Sequence, residues 1–273
     1  MASDAHAPDR RRRAQAGAYV AYRARPWLAG LRRALAEDSF VLHFQPIVAI
    51  ADGRVTHYEA LLRLADEPGG GLVAPAGFLP VAERYGLIRD IDRMVLDRVA
   101  AMLGDGLLEP GVGIAVNVSA LSVTDETLLA HLERRLALHG ADPACIVIEL
   151  TETAAISELD MDRARAFCAG VQALGCAVAL DDFGAGFGSF QYLKHLPFSY
   201  LKIDGQFIRN LPCSRIDQLV VRALVDIVRG MGRETIAEFV GDLPTLEMLG
   251  SYGVDYAQGF AVGRPQPGIP LPA

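Results

Sequence analysis

From residue 112 onward the chain alternates apolar, β-rich runs with helical stretches, and no other feature restricts its fold as much. The runs are VGIAVNVS, CIVIELT, AVALDDF, SYLKID, ETIAEFV and VDYAQGF. Helices are expected around 76–85, 88–103, 121–139, 155–174, 214–231 and 243–251. Strands that are apolar on consecutive residues are buried on both faces, and strands separated by helices run parallel under helical cover. Two earlier strands, FVLHFQPIVAI and VTHYEALLRL, are joined only by Ala51-Asp52-Gly53-Arg54. A connection that short cannot make a parallel crossover, so this pair is antiparallel. The expected fold is therefore α/β, a TIM-like (β/α)8 barrel with an antiparallel first strand. An open doubly wound sheet is the alternative, weakened because no GxGxxG turn follows the first strand.

A chain of 273 residues with 51% hydrophobic content can bury such a core as one domain. The barrel is expected over 26–273, opening on the amphipathic segment RPWLAGLRRALAEDSF, with 1–25 a flexible basic tail or linker remnant. The formal charge of -7 argues against binding DNA, RNA or an anionic membrane surface, all of which favour basic proteins. Four scattered cysteines (Cys145, Cys168, Cys176, Cys213) form no CxxC pair and signal neither zinc nor a disulfide framework. There is no apolar run of membrane-spanning length and no signal peptide, so the expected location is cytoplasmic, or the cytoplasmic part of a larger, membrane-anchored protein.

In barrels of this kind the chemistry sits at the C-terminal ends of the strands. Here those ends carry Glu59, Asn117, Glu149, Asp181 with Asp182, Lys202, Glu238 and Gln258. Each alone has a structural explanation: Asn117 as a helix cap, Glu149 in a salt bridge, Lys202 paired with Asp204 on the same strand face. In VALDDFGAGFGSF one Asp suffices to cap the next helix, but successive strand residues point to opposite faces, so the second is left over. Jointly the residues say more. Strands lie about 4.8 Å apart, so Asn117, Glu149 and Asp181 on neighbouring strands can converge within metal-ligand reach. Four carboxylates in one mouth repel unless neutralised, and all-oxygen ligation suits Mg²⁺ or Mn²⁺, two per site. Two such ions are the usual apparatus for displacement at phosphorus.

The motifs resemble a family. YEALLRL at 58–64, FQPIV at 44–48, PAGFLPVAERYGLI at 75–88, VNVSA at 116–120, IELTET at 148–153, LDDFGAGF at 180–187, YLKIDG at 200–205, IAEFV at 236–240 and DYAQGF at 255–260 are similar, in order, to those of EAL domains, phosphodiesterases of the bacterial second messenger cyclic di-GMP. The resemblance spans about 26–267 and implies opening of cyclic di-GMP to linear 5′-pGpG. It implies that Glu59, Asn117, Glu149 and Asp181 hold one metal, and Asp181 and Asp182 a second. Lys202 would orient the attacking water, and Glu238 would be a metal-site carboxylate and candidate base. Gln45, Arg63, Asp204 and Gln258 would meet substrate, while Glu152 would anchor the loop after the fifth strand. It also implies a homodimer and, in the full-length protein, an upstream sensory or cyclase domain.

The chain departs from the family pattern twice. Gly188 replaces the first of two serines in the loop after Asp182, and AEFVG at 237–241 ends in Gly where the family has Glu, with Asp242 one residue on as a partial substitute. These departures keep open an alternative, a catalytically weak or inactive cyclic di-GMP receptor that signals by binding. A third option is a metal phosphohydrolase of another substrate on the same barrel.

Overall fold

The expected alternation of strands and helices closes into a (β/α)8 barrel. The structure, a computed structural model, describes residues 27–65, 71–151, 158–184 and 189–269. The barrel strands are β1 (Phe40–Ala49), β2 (Val55–Ala65), β4 (Gly113–Val118), β5 (Ile146–Thr151), β6 (Ala177–Phe183), β7 (Tyr200–Ile203), β8 (Glu234–Ala237) and β9 (Tyr256–Gln258). β1 pairs antiparallel with both β2 and β9 and so closes the ring, while every other neighbouring pair, from β2–β4 round to β8–β9, is parallel. Two further strands, β3 (Leu72–Val73) and β10 (Gln266–Pro267), extend the edges and are too short for a sequence period to reveal.

Helices wrap the outside: α1 (27–36), α2 (Leu79–Arg84), α3 (Ile88–Gly104), α4 (Ala120–Val123), α5 (Leu128–His139), α6 (Glu158–Ala173), α7 (Ser189–His195), α8 (Gly205–Ile208), α9 (Arg215–Gly230) and α10 (Leu243–Tyr252). The single helix expected over 121–139 is two, because Asp125 folds into a turn in which its Oδ1 accepts from the Thr127 N–H (3.0 Å) and Oγ1 (2.7 Å).

The pleat sorts the strand side chains. Ile114, Val116, Ile148, Leu150, Val178, Leu180, Leu201 and Ile203 belong to the main core between sheet and helices. The residues between them point the other way, and Ile47, Ala115, Val147, Ala179 and Ile236 form a separate packed layer on the barrel axis. Beneath that layer the rings of His57, Tyr200 and Tyr256 meet edge to face, with centroids 5.5, 5.8 and 6.2 Å apart. The interior is thus filled to its floor, and the next inward positions toward the strand C-termini are polar.

Candidate functional site

Those next positions are set by the same alternation. Two residues beyond Ala115, Val147, Ala179 and Ile236 along their strands come Asn117, Glu149, Asp181 and Glu238, and Lys202 lies two beyond Tyr200. Register keeps them level, since Asn117 is directly opposite Glu149 across the β4–β5 pair. Glu59 joins from β2, opposite Gln45 of β1.

Lys202 is the centre of the constellation and is fully buried. Its Nζ lies 3.0 Å from Asp181 Oδ1, 3.0 Å from Glu238 Oε1, 3.1 Å from both Glu149 oxygens and 3.6 Å from Glu59 Oε2. Glu59 also accepts hydrogen bonds from Asn117 Nδ2 at 2.7 Å and Gln258 Nε2 at 2.5 Å. Gln45 is held in turn, donating to the Gly263 carbonyl at 3.0 Å. The purely structural alternative for Lys202, a pair with Asp204, does not form. Asp204 caps α8 instead, its carboxylate accepting from the Gln206 N–H at 2.9 Å, and it does not line the cavity described below.

The left-over aspartate has a structural answer. The β6–β7 register shifts between Leu180 and Phe183, and Asp182 adopts a left-handed backbone with φ 54°. This irregularity cancels the alternation that would have sent Asp182 to the outer face. One carboxylate oxygen each from Asp181, Asp182 and Glu238 consequently lie within 4.8 Å of one another.

One ammonium among this many carboxylates leaves excess negative charge, and the titration behaviour follows. Burial, only partly offset by Lys202, pushes the Glu149 and Glu238 carboxyls well above their ordinary range and raises Asp181. Asp182 is pushed up to about 6, by burial first and by the neighbouring Asp181 charge second. Glu59 alone ends lower than usual: burial raises it, but Lys202 and the Gln258 and Asn117 hydrogen bonds outweigh that. Lys202, disfavoured as a cation by burial, is held charged far above its ordinary value by Asp181, Glu149, Glu238 and Glu59.

Among the described residues, three buried acceptors in this cluster, Glu149 Oε1, Glu238 Oε2 and Gln258 Oε1, have no hydrogen-bond partner. The oxygen-only donor set, its charge deficit and these orphan acceptors fit hard divalent cations. The cluster opens into a cavity of about 490 Å³, with Glu59, Asp181, Asp182, Glu238 and Gln258 at its buried end. Gln45 and Arg63 also line it, and Arg63 is steadied by donating to the Leu62 carbonyl at 2.8 Å. Asn117 and Glu149 reach the cluster through Glu59 and Lys202 and lie behind the cavity wall. Glu152 and Gly188 fall outside the described residues. Gly241 lines the cavity with open space where a Cβ would stand. Asp242 does not replace the missing carboxylate, because it caps α10 by accepting from the Thr245 N–H at 2.8 Å.

Residues 29–265 match the family described as the EAL domain. The chain belongs to that family. This EAL domain is 36% identical over 243 residues to the cyclic di-GMP phosphodiesterase PdeB of Shewanella oneidensis, covering 88% of this chain and 28% of PdeB. Its fold matches the structure of the Pseudomonas aeruginosa MucR phosphodiesterase in complex with cyclic di-GMP, with TM-score 0.81 and 37% identity over 89% of this chain and 98% of that one. It also matches the EAL domain of Xanthomonas citri FimX in complex with cyclic di-GMP, with TM-score 0.82 and 30% identity over 93% and 99% of the two chains. The chain spans about a third of the length of the curated relatives it matches, 28% of PdeB and 35% of full-length MucR. No described helix is long and apolar enough to cross a membrane.

Six residues that line the cavity are not among the site residues read from the sequence: Leu61, Arg209, Phe239, Gly259, Phe260 and Pro265. Phe239 had a signal. It belongs to the AEFVG segment at 237–241, and its φ of 54° is a conformation that favours Gly. Arg209 had none, since its place depends on the turn through α8.

Proposed function

We propose that this chain hydrolyses cyclic di-GMP to linear 5′-pGpG by attack of water on one phosphodiester. The observation that carries the reading is the fully buried Lys202, ringed by four carboxylates of which Glu59, Asp181 and Glu238 line a cavity of about 490 Å³. That volume is in the ordinary range for small-molecule sites, roughly 300 to 1,000 Å³. Glu59, Asn117, Glu149 and Asp181 would hold one divalent cation, and Asp181, Asp182 and Glu238 have the oxygens to hold a second. When bound, Mg²⁺ or Mn²⁺ neutralises the carboxylates, polarises the phosphodiester and lowers the pKa of the nucleophilic water.

The chain's own groups do the rest. Arg63 on the cavity wall pairs with a phosphate oxygen, and Gln45 and Gln258 orient the substrate by hydrogen bonds. Lys202, held behind Asp181 and Glu238, would orient the attacking water through those carboxylates. Glu238, on the cavity wall beside Asp181 and Asp182, would take the proton that the water releases. The water oxygen bonds to phosphorus as the P–O3′ bond breaks, and the departing O3′ takes a proton from solvent, leaving a 5′-phosphate and a 3′-hydroxyl. Asp204, capping α8, supports this geometry and is not retained as a substrate contact.

The reading extends to a homodimer through the region after β6, supported by Phe190 of α7, 64% exposed. It extends also to a cytoplasmic setting within a longer signalling protein, supported by the small share of each curated relative that the chain spans, and to one barrel domain over 26–273, supported by the family match to 29–265. Incubation of purified protein with cyclic di-GMP and Mg²⁺ or Mn²⁺, followed by chromatography, is the test. Accumulation of pGpG is expected. Tight binding with no product would instead make the domain a receptor and point to Gly241, the open wall of the cavity.

A further inference from the structure

Resting on that reading, we propose that Asp92 of α3 is a positioning residue, which acts through Ser119 to fix Asn117 beside Glu59 at the metal site. Asn117 stands one residue from the end of β4, where the strand is secured unevenly. On the β5 side the register runs on through Asn117–Glu149 to Val118–Leu150, whereas on the β2 side it stops at Ala60–Val116. Yet it is toward β2 that Asn117 reaches, since its Nδ2 donates to Glu59 Oε1 at 2.7 Å. Side-chain packing does not make up the loss. Among the described residues, a cavity of about 240 Å³ lies on that side, bounded by Ala60, Leu62, Asp92, Asn117 and Ser119.

Asp92 supplies the missing anchor. Its Oδ2 accepts from the Ser119 N–H at 3.0 Å and from Ser119 Oγ at 2.7 Å, two residues past Asn117, and the Ser122 side chain adds a further hydrogen bond. Neighbouring residues of α3 grip the same segment: Arg89 donates to the Leu121 carbonyl at 3.1 Å, and Arg93 to Asp125 Oδ2 at 2.7 Å and Thr127 Oγ1 at 2.6 Å. Of the three, Asp92 alone is buried, only 5% exposed. Burying a carboxylate in a helix interior is costly, and the four-residue α4 is already capped by Ser119 Oγ, which accepts from the Ser122 N–H at 3.2 Å. What Asp92 adds is a fixed place for Ser119, and with it the direction in which β4 delivers Asn117. Groups that hold a metal ligand in its orientation typically account for roughly 10- to 100-fold in metal affinity.

The test is a calorimetric Mn²⁺ titration, with cyclic di-GMP kinetics alongside, of the wild type, Asp92→Ala, Asp92→Asn, Ser119→Ala and Val99→Ala. Val99 is fully buried on the same helix within the main core, so its variant reports what a loss of stability alone does. Asp92→Ala is expected to weaken one of two Mn²⁺ sites roughly tenfold or more and to leave the site of Asp181, Asp182 and Glu238 unchanged. Turnover then falls at limiting Mn²⁺ and recovers at saturating Mn²⁺, with KM for cyclic di-GMP within about twofold of wild type. Asp92→Asn, which keeps an acceptor oxygen for the Ser119 N–H, restores most of the Mn²⁺ affinity. Should Asp92→Ala not fold, Ser119→Ala removes one of the two bonds and carries the same prediction at roughly fivefold. Wild-type Mn²⁺ affinity in the folded variant of these two, or an equal loss in Val99→Ala, would overturn this inference while leaving the phosphodiesterase reading intact. A wild type that binds Mn²⁺ but makes no pGpG would overturn that reading alone, and one that does neither would overturn both.

Discussion

The floor and the mouth of this barrel are built from the same strands and differ in chemistry within two residues. At the floor, His57, Tyr200 and Tyr256 close the axis under Ala115, Val147, Ala179 and Ile236. Two residues on along β4, β5, β6 and β8, the inward positions become Asn117, Glu149, Asp181 and Glu238. The floor is satisfied by packing, whereas the mouth is left with orphan acceptors and more negative charge than Lys202 can balance. The packed floor lies beneath a mouth whose unbalanced negative charge fits divalent cations.

Floor and mouth differ most in what they lose at Lys202. Lys202→Ala leaves buried Asp181, Glu149 and Glu238 without their cation, and such losses cost about 3–5 kcal/mol. The expected outcome is a turnover reduced on the order of a hundredfold or more with KM moving far less, together with a lower thermal midpoint that added Mn²⁺ partly restores. Equal changes in kcat and KM would contradict the proposed role at the water. Glu59→Ala should abolish metal-dependent turnover while circular dichroism shows the barrel intact; activity close to wild type would place the metal site elsewhere.

The two regions should also respond oppositely to pH in protein stripped of metal. Burial lowers the His57 pKa from about 6.5 to about 4, so the folded state binds its proton less readily than the unfolded state. Its stabilising contribution is present above about 6.5 and is lost as pH falls toward 4, by about 3 kcal/mol in all. Asp182, raised from 3.8 to about 6, holds its proton more tightly when folded, so ionisation destabilises the native state as pH rises through that window. His57→Gln should therefore flatten the acid loss of stability, and Mn²⁺ should raise the melting temperature more at pH 7 than at pH 5. A Mn²⁺ effect independent of pH would argue against carboxylates as the ligands.

The smallest expected effect is steric. A Cβ on Gly113 would come within 2.8 Å of the His57 ring and 3.0 Å of the Cys145 carbonyl, so Gly113→Ala should cost roughly 1–3 kcal/mol by chemical denaturation and leave KM unchanged. A shift in KM would mean that the floor transmits strain to the mouth.

Most of this contrast was legible in the sequence, because both regions follow from one period. Once the runs IAVNV, IVIEL and AVALD are strands, the residues that face the axis are fixed, and Glu59, Asn117, Glu149, Asp181, Lys202, Glu238 and Gln258 fall together. What stayed hidden were departures from regularity. The bulge that turns Asp182 back into the mouth depends on a left-handed residue that no period encodes. The commitment of Asp204 and Asp242 to helix caps depends on the short α8 and on where α10 begins. Arg209 and Phe239 meet only because a turn brings two loops together at the cavity edge.

The mouth's surplus of carboxylates is proposed to hold the divalent cations that the reaction requires. The most direct measurement is a calorimetric Mn²⁺ titration of metal-free protein, with cyclic di-GMP turnover followed at each point. The account predicts about two Mn²⁺ per chain, activity rising as the sites fill, and loss of both in Asp181→Ala. Turnover that persists in EDTA, or Mn²⁺ binding undiminished in Asp181→Ala, would contradict it.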